Sequence, residues 1–238
     1  YIENFSTFQK KSLSRFPKDP KLILTANAYQ ADDGFKIWAA HHVENNKPLI
    51  LEQHGGHYGI GLLNQTEDHQ LKIADKFASW GWKSKEYSNV VPMPALKLNS
   101  GEVKYNKSGN ILMTTASYPR YFYCHFSVAV AGQMLGYIEE QIRFVKILSS
   151  DMLNSLRIRT DTGQFGWDIN DRFHAAGIGG VIESSGGISL IKRLESCRIS
   201  VSTYNATVFL ETLAANFPTL VFFDPGKYEI RSEARPMM

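Results

Sequence analysis

The chain has 238 residues, 43% of them hydrophobic, which is enough apolar surface for one large packed domain or two smaller ones. Its formal charge of +3, from 26 basic and 23 acidic residues, lacks the concentrated basic charge of a nucleic-acid-binding protein. The two cysteines have no CxxC spacing, and no apolar run approaches the ~20 residues of a membrane span. We therefore expect a cytoplasmic protein with no nucleic-acid partner.

The first half of the chain shows strand and helix patterns in alternation. Residues 1–20 are basic and interrupted by prolines, and we assign them no role. Strands are predicted at residues 21–25 and 47–52, with an amphipathic helix at residues 31–43 between them. A second helix is predicted over residues 66–82, TEDHQLKIADKFASWGW. This pattern predicts a Rossmann-like lobe with two clear strands.

A glycine-rich loop, QHGGHYGIG at residues 53–61, follows the second strand. Its glycines permit positive φ angles and close approach of the backbone to a neighbour. Gln53 and Tyr58 supply hydrogen-bonding groups, and either His54 or His57 can bind an oxyanion or transfer a proton near neutral pH. The alternative, that the histidines only brace the loop, remains open.

Acidic and imidazole side chains near the loop suggest further site residues. Glu67 and His69 lie at the start of the second predicted helix, and we place them in the acceptor cleft together with Gln53 and Tyr58. A metal site is disfavoured, because two histidines on a glycine-rich loop do not fix a tetrahedral geometry. Asp32 and Asp33 follow the first strand, where a carboxylate can act as base or nucleophile toward an anomeric carbon. They are equally well explained as acids favoured at a helix N-terminus.

A proline- and glycine-containing stretch at residues 90–110 has the composition of a linker. We place the domain boundary there, giving lobes at residues 1–105 and 106–238. Strands and helices alternate again in the second lobe. This pattern predicts an α/β fold with parallel sheets and helices on both faces.

The clearest βαβ unit of the second lobe covers residues 198–224. Its first strand ends in a polar run that leads into a helix, where free N–H groups and the helix dipole favour a phosphate. Glu211 on that helix is placed toward a ribose. Of Arg157 and Arg159, on the strand predicted at residues 156–160, we expect at most one to reach a ligand, on the view that their side chains point to opposite faces.

Three segments of the sequence carry a family resemblance. QHGGHYGIG, TEDHQLKIADKFASWGW and STYNATVFLETLAANFPTLVFFDP together resemble the transferases of bacterial surface-carbohydrate gene clusters. These are distantly similar to the capsule and lipopolysaccharide transferases that use CMP-Kdo or other CMP-activated nonulosonic acids. The resemblance covers residues 23–231.

The resemblance implies a GT-B fold, with two Rossmann-like lobes and a first lobe that is incomplete here because a full lobe has more strands. The second lobe would bind the nucleotide sugar, with Glu211 near the ribose. The first lobe would present its candidate catalytic residues to the acceptor and the anomeric centre. The residues near the donor phosphate would be Ser202, Thr203, Asn205 and Thr207, and the candidate catalytic residues Asp32, Asp33, His54 and His57. Neither a metal nor another cofactor is implied, since the helix dipole and side chains offset the leaving phosphate's charge.

The sequence thus predicts a glycosyltransferase that moves a sugar, such as Kdo or another nonulosonic acid, from a CMP-linked or other nucleotide donor to a surface glycan or lipid-linked acceptor. We expect it in the cytoplasm or at the inner face of the cytoplasmic membrane. A sugar-nucleotide epimerase of the same fold is one alternative. A non-catalytic binding lobe of a polysaccharide-assembly complex is another.

Overall fold

A computed structural model describes residues 3–95, 98, 101–184 and 186–237. The chain divides into two compact units. Unit 1 comprises Tyr1–His54 and Gln65–Ala95, and unit 2 comprises Gly55–Asn64 and Leu96–Met238. The structure therefore assigns most of the glycine-rich loop to unit 2, whereas we had placed the whole loop in the first lobe.

Unit 1 contains a four-stranded parallel sheet in the order β1-β2-β3-β4. Ile23, Leu51 and Phe77, one from each of the first three strands, are almost fully buried. The elements are α1 Phe5–Arg15, β1 Ile23–Thr25, α2 Ala28–Ala31, α3 Asp33–Glu44, β2 Leu49–Glu52, α4 Gln65–Ile73, β3 Lys76–Trp80 and β4 Val90–Met93. The predicted helix at residues 31–43 corresponds to α3, whose apolar face is buried as the spacing indicated.

Two strands of this sheet were missed in the sequence. The predicted helix over residues 66–82 ends at Ile73, and Lys76–Trp80 forms β3 instead. Phe77, Ala78 and Ser79 are buried consecutively, which is typical of a strand covered on both faces. Asp75 lies between α4 and β3, and its carboxylate accepts a hydrogen bond from the amide of Leu49, the first residue of β2, at 2.8 Å. β4 lies within the predicted linker; residues 96, 97, 99 and 100 of that linker are outside the described residues.

Unit 2 contains a five-stranded parallel sheet in the order β7-β6-β5-β8-β9. Short 3₁₀ helices occur at Gly179–Val181 and Arg235–Met237. The elements are β5 Asn110–Thr114, α5 Gln133–Lys146, α6 Ser150–Ser155, β6 Leu156–Thr160, α7 Ile169–Ala175, β7 Ile182–Ser184, α8 Leu190–Leu194, β8 Cys197–Ser202, α9 Thr207–Ala214 and β9 Thr219–Val221. No helix in the described ranges is long and apolar enough to cross a bilayer.

Both faces of the second sheet are covered. Met113 on β5 packs in a cluster with Met134 and Ile138 of α5. Its neighbour Leu112 points to the other face and packs with Leu194 of α8, because successive strand residues alternate between faces. Both β5 side chains are fully buried. The predicted α/β fold with parallel sheets is confirmed.

Candidate functional site

The glycine-rich loop of unit 2 lies against the turn that connects β8 to α9. The Gly56 amide donates a hydrogen bond to Oγ1 of Thr207 at 2.8 Å, and Thr207 is the first residue of α9. A Cβ atom at position 56 would lie 2.3 Å from the Ala206 carbonyl carbon and 2.5 Å from the Thr207 nitrogen. Glycine is therefore required at position 56 because the two backbones touch. Two segments that we predicted to lie in separate lobes thus belong to one unit and are in direct contact.

His57 fixes the loop to the same turn. Its Nδ1 lies 3.3 Å from Asn205 Oδ1, and its backbone has a φ of +76°, an uncommon value for a residue other than glycine. The imidazole ring covers Gly61, where a Cβ atom would lie 2.0 Å from Nε2. Only 7% of His57 is exposed. These contacts are those of a bracing residue, and a catalytic role for His57 stays a prediction.

Burial lowers the pKa of His57, and interactions of the ring with Asn205 and with the Leu63 backbone oppose this effect only in part. The ring is therefore neutral at neutral pH. A proton on Nδ1, donated to Asn205 Oδ1, leaves Nε2 as a hydrogen-bond acceptor. Nε2 is buried and has no hydrogen-bond partner among the described residues.

The depressed pKa of His57 predicts a loss of stability in mild acid. Below the unfolded-state pKa of about 6.5, the unfolded chain binds a proton that the folded ring resists, so the free energy of unfolding falls as the pH decreases. His57→Asn removes this contribution, and asparagine tolerates a positive φ. We expect wild type to lose more stability than His57→Asn between pH 8 and pH 5.5 in urea unfolding. His69→Asn, at an exposed position of α4, is the control and should keep the wild-type loss; equal losses in all three proteins would contradict the prediction.

The turn before α9 contains a buried amide with unused hydrogen-bonding capacity. Asn205 is completely buried, and its Nδ2 has no partner among the described residues. Ser202 and Thr203, which we predicted to face the phosphate, donate their hydroxyl protons to backbone carbonyls at Tyr204 and Thr114. Of the predicted phosphate-binding set, the structure thus brings Asn205 and Thr207 together with the loop.

The C-terminal segment holds the far side of the loop, which no local sequence pattern indicates. The Leu62 amide donates to the Glu229 carbonyl at 2.9 Å, and the Arg231 amide donates to the Ile60 carbonyl at 2.9 Å. The Arg231 guanidinium also donates to the Gly61 carbonyl, at 2.7 Å. The loop is therefore clamped between α9 and the C-terminal segment.

A buried tyrosine, also missed in the sequence, ties the ends of β5 and β8 together. The Ala116 amide donates to the Tyr137 hydroxyl at 2.8 Å, and that hydroxyl lies 2.6 Å from Thr203 Oγ1. Because Thr203 Oγ1 donates its own proton to the Thr114 carbonyl at 2.9 Å, Tyr137 is the donor to Thr203. Desolvation raises the pKa of Tyr137 to about 12, so it keeps its proton. The turn that leads to Asn205 is thereby anchored to the central strand.

The two predicted catalytic carboxylates of unit 1 have structural partners. Asp32 is the N-cap of α3, where its Oδ1 accepts from the Phe35 amide at 3.0 Å, and its Oδ2 lies 3.1 Å from the Arg15 guanidinium. Asp33, in the first turn of α3, pairs with Lys36 at 2.9 Å. These contacts support the alternative of acids favoured at a helix N-terminus. Their catalytic roles stay predictions.

The other predicted residues of the loop region are divided between the units. Gln53 is buried in unit 1, where its Oε1 accepts from the Trp80 amide and the Trp82 indole at 2.9 and 2.8 Å. Its side chain therefore holds the end of β3. Also in unit 1, His54 is half-buried, Glu67 is buried and His69 is exposed beside Tyr29; Tyr58 is buried in unit 2.

The predicted arginines lie on β6 and bond to backbone carbonyls. Arg157 donates to the carbonyls of Asn154 and Leu156, and Arg159 donates to the Ile188 carbonyl at 2.6 Å. We expected their side chains on opposite faces, which was wrong: positions two apart on a strand share a face.

Glu211 is half-buried on α9. No cluster of three or more potential metal ligands occurs among the residues that the structure describes.

Comparison with known proteins identifies a family and a fold. A model of the LIC12162 family of transferases matches residues 1–238. No curated protein matches the chain. The crystal structure of a candidate UDP-N-acetylglucosamine 2-epimerase from Listeria monocytogenes has a TM-score of 0.50 at 12% identity, covering 98% of this chain and 63% of that one. A trehalose 6-phosphate synthase from Burkholderia multivorans has a TM-score of 0.41 at 12% identity, covering 93% of this chain and 62% of that one.

The likeness to the Listeria structure concerns the fold, and it confirms the prediction of Rossmann-like lobes of the GT-B type. The chain spans less than two thirds of the length of either solved neighbour.

Proposed function

The chain belongs to the LIC12162 family of transferases, and from that premise we propose that it is a glycosyltransferase that moves a sugar from a nucleotide donor to a glycan. The observation that carries the proposal is the loop-to-helix arrangement in unit 2. A glycine-rich loop is clamped against the N-terminus of α9, beside a buried asparagine whose Nδ2 has no partner in the described part of the chain.

We assign the donor phosphate to this arrangement. The first turn of α9 presents backbone N–H groups and the positive end of the helix dipole, which favour an anion. A buried amide donor without a partner costs about 1–3 kcal/mol, and a phosphate oxygen would satisfy the Asn205 Nδ2 group. Positive charge from the helix end also offsets the charge of a leaving phosphate, so the proposed reaction needs no metal.

The finer assignments extend the same proposal. We favour a CMP-linked nonulosonic acid such as Kdo as donor, with Glu211 near the ribose and a surface glycan or lipid-linked saccharide as acceptor. Capsule or lipopolysaccharide synthesis in the cytoplasm, or at the inner face of its membrane, is the corresponding setting. The proposed reacting groups remain His54, His57 and an acid from Asp32 or Asp33.

Nucleotide binding tests the donor site. We expect calorimetry of the full-length protein to detect binding of CMP, UDP or GDP. Asn205→Ala should weaken that binding about tenfold, because a hydrogen bond to a charged phosphate is lost. Asn154→Ala, at an exposed position of α6, is the matched control and should bind like wild type. Absence of binding for every nucleotide would refute the donor site.

The likeness to the Listeria structure, a candidate UDP-N-acetylglucosamine 2-epimerase, makes a sugar-nucleotide epimerase the second candidate. Incubation with a nucleotide sugar and no acceptor separates the two reactions. An epimerase converts the donor sugar, whereas a transferase leaves it intact or hydrolyses it slowly until a glycan acceptor is supplied. A non-catalytic binding lobe would instead retain its cellular function after His54, His57 and Asp33 are replaced by alanine.

A further inference from the structure

Unit 1 contains a cavity of about 700 Å³ to which none of the proposed donor contacts belongs. It lies where the chain leaves the carboxyl end of β1, the edge of a parallel sheet at which ligands bind. One wall is formed by α1, a segment without an assigned role. The lining comprises Phe8, Lys11, Ser12, Arg15, Asn27, Ala28, Gln30, Ala31, Asp32, Asp33 and Gly34.

Aromatic packing fixes the position of α1. The ring of Phe16, just after the helix, lies 5.8 Å from Phe35 and 5.3 Å from Trp38, both on α3. The Trp38 indole also donates to the Pro17 carbonyl at 2.9 Å. The Arg15 guanidinium is placed over the Phe16 ring at 5.0 Å while it pairs with Asp32. The cavity wall is therefore preformed.

The lining carries two cations, Lys11 and Arg15, and two carboxylates, Asp32 and Asp33. Arg15 pairs with Asp32, and Asp33 pairs with Lys36, which does not line the cavity. None of the ion pairs within the described ranges involves Lys11. A ligand in the cavity thus meets one lysine that belongs to no ion pair of the described ranges.

The remaining lining fits a sugar. The amides of Asn27 and Gln30 provide donors and acceptors of the kind that bind hydroxyl groups, and the Phe8 ring provides an apolar surface for the C–H face of a pyranose. A single lysine outside any ion pair matches one carboxylate better than a doubly charged phosphate ester. We propose that this cavity binds an acidic saccharide, with the sugar carboxylate held by Lys11.

Ligand-observed NMR titration with methyl β-D-glucuronide tests the proposal. We expect the glucuronide to bind, and methyl β-D-glucoside, which lacks the carboxylate, to bind about tenfold more weakly. Lys11→Ala should weaken glucuronide binding about tenfold and leave the glucoside unaffected. Lys10→Ala is the matched control, because this neighbouring exposed lysine of α1 does not line the cavity, and it should bind like wild type.

Equal affinity for the two glycosides, or equal effects of the two lysine substitutions, would overturn the proposal. Absence of glucuronide binding would overturn it as well, and tighter binding of glucose 6-phosphate would assign the cavity to phosphate esters instead. Nucleotide binding measured on the same samples depends on unit 2, so the failure of this proposal is distinguishable from the failure of the proposed donor site.

Discussion

Replacing Gly56 by alanine is expected to detach the glycine-rich loop from α9 and to lower the free energy of unfolding by about 3 kcal/mol, near the upper end for an overpacked site. The new Cβ would lie 2.3–2.6 Å from backbone atoms of Ala206 and Thr207. No side-chain rotation relieves a contact with backbone, so the loop must move and its 2.8 Å hydrogen bond to Thr207 is lost. Nucleotide affinity should fall by at least about tenfold with it.

Gly55→Ala is the matched control, one residue earlier in the same loop. Among the described residues, a Cβ at position 55 meets only Thr207 Oγ1, at 3.3 Å, so its effect on stability should stay below about 1 kcal/mol. Urea unfolding gives the two free energies, and hydrogen exchange over residues 55–64 reports whether the loop has detached. Similar results for the two variants would contradict the contact between the loop and α9.

The sequence predicted the need for glycine in the loop but not the loop's partner. Four glycines in nine residues indicate close backbone approach, and this expectation agrees with the contact at Gly56. The partner turn lies about 150 residues away: the separations are 151 for Gly56 and Thr207 and 148 for His57 and Asn205. Periodicity and propensity describe neighbours along the chain, so they carry no information about such a pair.

Strands were predictable where their residue pattern differs clearly from that of the flanking residues. β6 coincides with the predicted strand, because an apolar and polar alternation at Leu156–Thr160 stands out from its surroundings. β3 was absorbed into a helix because Leu71, Phe77 and Trp80 also fit a helical period over residues 66–82. Burial of consecutive residues on both faces of β3 distinguishes a strand from a helix here. Burial depends on tertiary packing, so the sequence pattern alone does not reveal it.

For the candidate carboxylates, the sequence predicts the local structure but does not decide the function. The sequence correctly places Asp32 and Asp33 at the start of a helix, and there it leaves capping and catalysis equally open. The structure supports capping, because Arg15, 17 residues earlier, pairs with Asp32 where α1 packs on α3. The same packing builds the wall of the cavity that contains Lys11. The helix α1, to which the sequence assigns no role, thus accounts for two features of unit 1: the ion pair of Asp32 and a wall of the cavity.

Tyr137→Phe is expected to lower the free energy of unfolding by about 1–3 kcal/mol, although it removes a single oxygen atom. Without the hydroxyl, the buried Ala116 amide loses its acceptor, and an unsatisfied buried donor costs that amount. Thr203 keeps its bond to the Thr114 carbonyl but loses the proton from Tyr137, so the turn before Asn205 is held less firmly. Tyr105→Phe, at an exposed tyrosine of the same unit, should change stability by less than about 0.5 kcal/mol.

A double-mutant cycle with Thr203→Val separates a specific network from general damage to the core. Because both residues share the 2.6 Å hydrogen bond, the double variant should lose less stability than the sum of the single variants, by about 0.5–3 kcal/mol. Nucleotide affinity should fall in Tyr137→Phe, since the hydroxyl positions the turn that carries Asn205, and it should be unchanged in Tyr105→Phe. Strict additivity of the stability losses, together with wild-type nucleotide affinity in Tyr137→Phe, would show that Tyr137 only fills space between α5 and the sheet.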